Sequence, residues 1–337
     1  MRHCRHALVA ALVVAALLVP GKATVAEAAG EEPITIRFAS LATPNSAFGK
    51  VLRAWGAQVE KETEGRVKLT IYTGGSQGDE RDFIRKIRAG QIDAAGATTT
   101  GLGIIVPAIY ALTVPGVVTE YEQLERVWQG LGERLRGLYE AKGFHLLAWG
   151  TGGKNRLFSA KPFMAPNDLK RARPWVWKGD PVFDAYIGVI GANPVRIGAH
   201  EVYGALETRM IDTLAISTIG AVAYQWYTRL NYVAKDNLNI ITGGSIIKKE
   251  KMAQLRPSDQ KILFQTAERA ADAMDEILVK DDEESYRVLV ERGLQEVDNV
   301  PSRGAWERVA KKTRKSLAGR VFSKELMKTV ESLAAAD

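Results

Sequence analysis

The sequence is poor in the residues that most often carry out covalent and metal chemistry. Its 337 residues include one cysteine, Cys4, and four histidines, of which only His145 and His200 lie beyond the first thirty positions. A disulfide framework and a thiol nucleophile are therefore not expected. The sequence also has no His-Glu-x-x-His, no Gly-x-Ser-x-Gly and no phosphate-binding loop that ends in Lys-Ser/Thr. We expect a protein that is not an enzyme and that uses neither a cofactor nor a metal ion.

Long apolar runs are missing after the N-terminus. Residues 7–20 are apolar, arginines precede them, and the small residues Ala26 and Ala28 follow. This order is typical of a secretory signal peptide, so we predict that cleavage after Ala28 removes residues 1–28. Because Cys4 would leave with that segment, the mature chain would have no cysteine and would depend on its own core. We expect it to be free in the periplasm of a Gram-negative cell.

A strong charge of either sign is missing too. The formal net charge of +7 comes from 46 Lys and Arg and 39 Asp and Glu, which are spread along the chain. No dense basic run is interleaved with aromatic residues, which argues against a nucleic-acid partner. The acidic run from Asp281 to Glu284 lies in a helical pattern, and we expect a solvated face there rather than a metal site.

The sequence does contain alternating strand and helix patterns. Residues 34–40 and 66–72 alternate apolar and polar side chains, a helical pattern follows each, and residues 92–97 suit a buried strand. This order predicts a parallel sheet covered by helices. From Ser258 to Gly293 the pattern is helical almost without interruption, for about 50 Å at 1.5 Å per residue. We therefore expect an α/β chain of two lobes, with a helix long enough to lie across both.

The patterns also predict where the lobes divide. The predicted division is a first lobe over residues 31–153 with a return crossing near 237–256, a second lobe over 154–236, a long interlobe helix over 257–293 and a C-terminal helical segment over 294–337.

Several segments resemble a known family. Gly191-Ala192-Asn193-Pro194-Val195 is followed by the EVYGALET run of residues 201–208 and by Ile211-Asp212, and Asp168-Leu169-Lys170 precedes them. In this order they resemble the D-L-K-G, GANP, EVY-x-AL-x-T and V-D segments of DctP-type receptors, the solute-binding proteins of TRAP transporters. The similarity covers nearly the whole mature chain.

The resemblance implies a fold and a role. The fold would be α/β, a two-lobed periplasmic binding protein with mixed sheets, a central cleft and a long helix spanning both lobes. The loaded receptor would deliver its ligand to the TRAP membrane permease subunits, which an ion gradient drives, and would contact the inner membrane only through that permease. The family leaves both a monomer and a helix-swapped dimer open.

The sequence departs from the family where the resemblance implies ligand contacts. Members that bind organic acids use an Arg on the strand after D-L-K-G, and the matching position here is Trp175. A second family Arg corresponds to Lys154. A family Glu-Asn pair corresponds to Ala215-Ile216, with Ser217 next. Arg173 precedes Trp175 by two residues, so it either shares that face of the strand or marks the strand start.

These departures predict a cleft more apolar than one built for a dicarboxylate or a sugar acid. A buried carboxylate without a bidentate partner is costly, so we expect a small, apolar or amphipathic organic acid whose polar group meets Lys154. Trp175 is expected to form a pocket wall. Trp177 is a candidate beside it, although we expect only one of the two indoles to point inward.

Further candidate contacts come from strand ends and loops. They are Tyr224 and Trp226 after the V-D strand, Phe48 after the first strand, Thr98 and Thr99 at a strand end, and Gln77 in a Gly-rich loop before a helix. Each pattern is also typical of ordinary core packing, a strand end or a turn. Two alternative functions stay open at this point. One is the same receptor for an ordinary polar carboxylate held by Lys154 and Arg173, and the other is a periplasmic sensor or scaffold.

Overall fold

The structure of the protein, a computed structural model, describes residues 32–336, and the predicted signal peptide lies outside them. The strands are β1 (Ile34–Ala39), β2 (Val67–Tyr72), β3 (Ala94–Thr98), β4 (Phe144–Ser159), β5 (Trp175–Trp177), β6 (Val195–Ile197), β7 (Thr213–Ser217), β8 (Tyr232–Lys248) and β9 (Gln295–Val297). The α-helices are α1 (Ala47–Glu62), α2 (Glu80–Arg88), α3 (Thr99–Leu102), α4 (Tyr121–Ala141), α5 (Pro181–Ile190), α6 (Val202–Glu207), α7 (Thr218–Ala223), α8 (Lys249–Met252), α9 (Pro257–Glu291), α10 (Arg303–Leu317) and α11 (Lys324–Ala335). We refer to residues 32–153 as the first lobe and to residues 154–236 as the second.

The main sheet is mixed. Its strand order is β2-β1-β3-β8-β4-β7, with β9 beside β8, while β5 and β6 form a separate pair. Strand β1 is parallel to β2 and β3, but β8 is antiparallel to both β3 and β4. The parallel arrangement predicted for the first three strands is confirmed. The sheet becomes mixed because β8 returns from the second lobe and enters its middle in the opposite direction.

Two strands are much longer than the others. Strands β4 and β8 have 16 and 17 residues and pair along most of their length. The sequence analysis divides the lobes between residues 153 and 154, but β4 continues across this boundary without interruption. The glycines at 150, 152 and 153 hide the alternation, and the pairing register shifts between Thr151 and Gly153, where Gly153 has a φ of +93°. Such a bulge bends a strand without ending it, so β4 continues from one lobe into the other.

Several helices begin at the carboxyl ends of strands, each with its own side-chain cap. The caps are Ser46 for α1, Asp79 for α2, Thr98 for α3, Asp180 for α5 and Ser217 for α7. A cap accepts a hydrogen bond from one of the free N–H groups in the first helical turn. The strand ends therefore carry a ring of polar side chains that are already engaged with their own helices.

Helix α9 contacts both lobes. It has 35 residues, which corresponds to about 52 Å. Near its start, Asp259 pairs with Arg66 and the hydroxyl of Thr266 accepts from the indole of Trp55. Near its end, the carboxylate of Asp282 accepts from the hydroxyl of Thr218 at 2.9 Å. None of the helices in the described part of the chain combines the length and apolar character that crossing a membrane requires.

The acidic run on α9 is not uniformly solvated. Asp282 is 1% exposed, whereas the neighbouring Glu283 and Glu284 are exposed. Successive residues on a helix point in different directions, and α9 packs against β4 and α7. One member of any such run must therefore face the protein, so the expectation of a solvated face is wrong for Asp282.

Candidate functional site

A cavity of about 360 Å³ lies between the lobes. This volume falls within the range of small-molecule sites, which is about 300–1,000 Å³. Of the residues predicted to contact a ligand, those in the first lobe that line the cavity are Phe48, Thr98 and Thr99. Those in the second lobe are Trp175, Trp177, Ile216, Ser217, Tyr224 and Trp226. The structure thus gathers most of the predicted contacts around one space, although their contact with a ligand stays a prediction.

The second lobe presents a continuous aromatic wall, which we define as Trp175, Trp177, Tyr224 and Trp226. Trp175 meets Trp226 edge to face at 5.2 Å between ring centroids, and Tyr224 stacks on Trp226 at 4.9 Å. The indole of Trp175 donates to the carbonyl of Ile197 at 3.1 Å, which fixes its orientation. Both Trp175 and Trp177 line the cavity. The expectation that only one would do so is wrong, because side chains two residues apart on a strand share a face.

The first lobe and α9 complete the lining with apolar side chains. Helix α1 contributes Phe48, Val51, Leu52 and Trp55, and α9 contributes Ala267, Ala270, Ala271 and Met274. The α9 residues recur at helical spacing and form one narrow face of small side chains. Sequence reasoning missed this face, and the spacing of its alanines is the signal that indicates it.

The charged side chains that line the cavity, among the described residues, are the carboxylates Glu80 and Asp180. Glu80 is 2% exposed and accepts from the backbone N–H and hydroxyl of Thr98, both at 2.9 Å, and from the N–H of Gly101 at 2.8 Å. Burial raises the pKa of Glu80 to about 7, although these hydrogen bonds oppose the shift. Burial likewise raises the pKa of Asp180 to about 6.

Three hydroxyl groups at the cavity act as helix caps, whereas the hydroxyl of Thr151 and the indole N–H of Trp149, which also line it, have no partner among the described residues. Ser46 accepts from the N–H of Gly49, Thr98 accepts from the N–H of Thr100, and Ser217 accepts from the N–H of Gly220, each at 3.2 Å. The helix N-termini that meet the cavity are thus capped by their own side chains, which leaves fewer donors for an anion.

Three predicted contacts lie away from the cavity, and each has a different partner. Arg173 precedes β5, with its side chain 48% exposed and 3.4 Å from the carboxylate of Asp212. Gln77 accepts from the ammonium of Lys86 at 3.0 Å. Lys154 follows the bulge in β4, where Asn155 lines the cavity, so alternation directs Lys154 to the opposite side of the strand. Of the three residues, only Lys154 lies on a strand, and its side chain is directed away from the cavity.

Lys154 belongs instead to a cluster outside the cavity, which we call the charged junction and define as Lys154, Arg156, Asp282 and Glu283. The ammonium of Lys154 lies 2.9 Å from Glu283, and the guanidinium of Arg156 lies 3.1 Å from the same carboxylate. Asp282 accepts from the backbone N–H of Lys154 at 2.8 Å. Burial opposes the charge of Lys154, but nearby carboxylates, chiefly Glu283, more than offset this and raise its pKa.

Hydrogen bonds join the lobes beside the cavity. The carboxylate of Asp79, in the first lobe, accepts from the indole of Trp177 at 2.9 and 3.0 Å and from the N–H of Ala199 at 2.9 Å. The hydroxyl of Tyr224 donates to the carbonyl of Leu41 at 3.3 Å. The aromatic wall is therefore held against the first lobe by polar contacts at its edges, which corresponds to a closed arrangement. Within residues 32–336 no group of three or more His, Cys, Asp or Glu side chains is placed to hold a metal ion.

Comparisons with known proteins agree with this architecture. Residues 38–318 match the family model DctP, described as bacterial extracellular solute-binding protein, family 7. The C4-dicarboxylate-binding periplasmic protein DctP of Rhodobacter capsulatus is 24% identical over 298 residues, which cover 86% of this chain and 88% of that protein.

Solved structures show the same fold. A TRAP periplasmic solute-binding protein from Ralstonia eutropha with bound (S)-2-acetolactate is similar with a TM-score of 0.84 and 21% identity, over 89% of this chain and 98% of that chain. One from Shewanella oneidensis with bound succinate has a TM-score of 0.84 and 17% identity, over 90% of this chain and 99% of that chain.

Proposed function

Since the chain belongs to family 7 of the bacterial extracellular solute-binding proteins, the DctP family of TRAP transporter receptors, we propose that its cavity binds a small organic solute with a broad apolar face. The loaded receptor then delivers this solute to the membrane subunits of a TRAP permease. Family membership supports the receptor role and the periplasmic location. The lining of the cavity supports the apolar character of the solute.

One observation carries this proposal. The aromatic wall and the narrow face of small side chains on α9 line the same cavity. A flat apolar solute between such surfaces gains from the removal of apolar area from water. For a ring-sized solute that buries about 150 Å², this gain is about 4 kcal/mol. Stacking on an aromatic ring adds about 0.5–1.5 kcal/mol. Apolar contact can therefore supply a substantial part of the binding free energy without a strong ionic anchor.

The alternative of an ordinary polar carboxylate held by Lys154 and Arg173 has less support. Both cations lie away from the cavity and face carboxylates of the protein, Glu283 and Asp212. A ligand carboxylate would have to compete with these partners. It would also require β4 to rotate so that the side chain of Lys154 faced the cavity. The solved relatives described above hold small organic acids, so such acids belong in the first panel of test compounds.

Native mass spectrometry of protein purified without refolding tests the proposal, because a closed cleft retains its ligand. We expect a bound mass that corresponds to a small organic compound, whose identity then directs titration calorimetry against its smaller and more polar analogues. Affinity should fall as apolar groups are removed from the ligand. If succinate or a similar compact dianion binds more tightly than every apolar compound tested, the proposal is wrong.

A further inference from the structure

We propose that the polar group of the solute is a protonated amine, recognised by Asp180 and the aromatic wall, and not the carboxylate that the solved relatives bind. This inference rests on the proposed function, because it assigns a chemical class to the ligand of the same cavity. Its basis is the charge of the lining. Among the described residues, the cavity is lined by two carboxylates and by no Lys, Arg or His side chain.

An anionic ligand would be unfavourable in this setting. A carboxylate loses its hydration when it enters a low-dielectric site, and the cost is large unless a cation or several donors replace the water. Here it would also lie in the field of Glu80 and Asp180, and like charges in one site repel. The helix N-termini at the cavity are occupied by their own caps, such as Ser46 and Ser217. The unpartnered donors that remain at the cavity include the indole N–H of Trp149 and the hydroxyl of Thr151, and such neutral donors replace only part of the hydration of a full negative charge.

A cationic ligand finds a free acceptor. Oδ1 of Asp180 accepts from the N–H groups of Val182 and Phe183, at 2.8 and 3.1 Å. No hydrogen bond from any described residue reaches Oδ2, and this atom is not among the buried polar atoms that lack a partner. This atom therefore retains some exposed surface, on a side chain that lines the cavity. An ammonium group that donates to it would form a charge-assisted hydrogen bond, which is stronger than one between neutral groups.

The aromatic wall is adjacent to this acceptor. The backbone N–H of Asp180 donates to the carbonyl of Trp177 at 2.9 Å, so one tight turn connects the carboxylate to an indole of the wall. Aromatic faces attract ammonium groups, by about 2 kcal/mol or more when the pair is shielded from water. A carboxylate and an aromatic face that meet at one end of an apolar cavity are complementary to an alkylammonium group attached to an apolar body.

Three probes that share one skeleton test the charge of the ligand directly. Phenethylamine, 2-phenylethanol and 3-phenylpropanoate carry an ammonium, a hydroxyl and a carboxylate on the same phenylethyl body. Calorimetry at about pH 8 keeps the amine protonated and Asp180 ionised. We expect the amine to bind at least tenfold more tightly than the acid, with the alcohol between them. An acid that binds as tightly as the amine overturns this inference and leaves the receptor for apolar solutes intact. If none of the three binds at millimolar concentration, both proposals fail.

Variants assign the effect to the carboxylate. Asp180→Asn keeps a side chain that caps α5 well but removes the charge, so the thermal midpoint serves as a check of folding. We expect it to weaken phenethylamine binding about tenfold and to leave 2-phenylethanol within twofold. The matched control is Asp184→Asn on the same helix, where Asp184 pairs with Arg196 away from the cavity, and its affinities should equal those of the wild type. Equal amine affinity in Asp180→Asn and wild type would exclude Asp180 as the acceptor.

Discussion

The cavity and the charged junction receive residues from the same strand, β4, yet they differ completely in charge. Asn155 lines the cavity, whereas Lys154 and Arg156 on either side of it reach Glu283 on α9. The junction pairs cations with carboxylates. The cavity has carboxylates alone among the charged side chains that the structure describes there.

The difference shows how a two-lobed receptor can keep its cations and still have an apolar binding site. Alternation along a strand sends neighbouring side chains to opposite faces, so one strand serves both regions. The cations stabilise the contact of α9 with β4, and their charge is balanced there by carboxylates. The binding site is then free to change its ligand class without a change in the fold.

Removal of Asp282 should have the largest effect, because it dismantles the junction. Its carboxylate accepts from the hydroxyls of Tyr121 and Thr218 and from the backbone N–H of Lys154. Asp282→Ala would leave the Tyr121 hydroxyl and the Lys154 N–H without an acceptor, while Thr218 keeps the backbone carbonyl of residue 282 at 3.0 Å, so we expect the free energy of unfolding to fall by about 3–5 kcal/mol in urea denaturation.

Asp281→Ala is the matched control for that variant. Asp281 is the adjacent carboxylate on α9 and takes no part in these bonds, so its replacement should change the free energy of unfolding by less than about 0.5 kcal/mol. Similar losses in both variants would show that the acidic run of residues 281–284 contributes to stability only through its total charge.

The pH dependence of the free energy of unfolding should reflect the raised pKa of Glu80, which lines the cavity. Burial raises the pKa of this carboxyl from 4.5 to about 7, so the folded state binds the proton more tightly than the unfolded state does. The stabilisation is complete below pH 4.5 and is lost as the pH rises through 7. Relative to Glu80→Gln, the free energy of unfolding of the wild type should fall by about 2–3 kcal/mol across this window. Parallel curves for the two proteins would contradict the raised pKa.

The indole of Trp175 should matter more for binding than an equally large indole elsewhere. Trp175→Ala removes part of the aromatic wall, and we expect a loss of about 1–3 kcal/mol in binding of the solute that native mass spectrometry identifies. The control is Trp306→Ala, since Trp306 stacks on Tyr186 in the second lobe and does not line the cavity. Unchanged affinity in Trp175→Ala would place the ligand away from the wall.

Local patterns predicted the elements well and the side-chain directions poorly. The alternation over residues 34–40 predicted β1 to within one residue, because this signal acts within a few positions. The continuity of β4 was missed, since its glycines carry no side chains to alternate. The burial of Asp282 was missed because helical periodicity does not reveal which neighbours a helix will meet.

The candidate site shows the same limit. The aromatic wall was predicted from positions at and after segments of the family pattern, whereas Trp55, Trp149, Glu80 and Asp180, which also line the cavity, were not predicted. Each of the two carboxylates lies at the start of a helix, where an acidic residue is ordinary. Only the tertiary arrangement of several strand ends, which no local pattern encodes, brings the two carboxylates to one cavity.

The variant with the smallest expected effect is the best test of whether the charged junction is separate from the cavity. Lys154→Met keeps the length of the side chain and removes a charge whose partner, Glu283, is largely exposed. An ion pair with one largely exposed partner is screened by water and contributes little. The free energy of unfolding should therefore change by less than about 1 kcal/mol and solute affinity should stay within twofold, as measured by denaturation and calorimetry on one preparation. Lys161→Met, which removes an exposed partner of Asp212, serves as the control. A tenfold loss of affinity confined to Lys154→Met would mean that the ammonium reaches the ligand, and the separation between a charged junction and an uncharged binding wall would no longer hold.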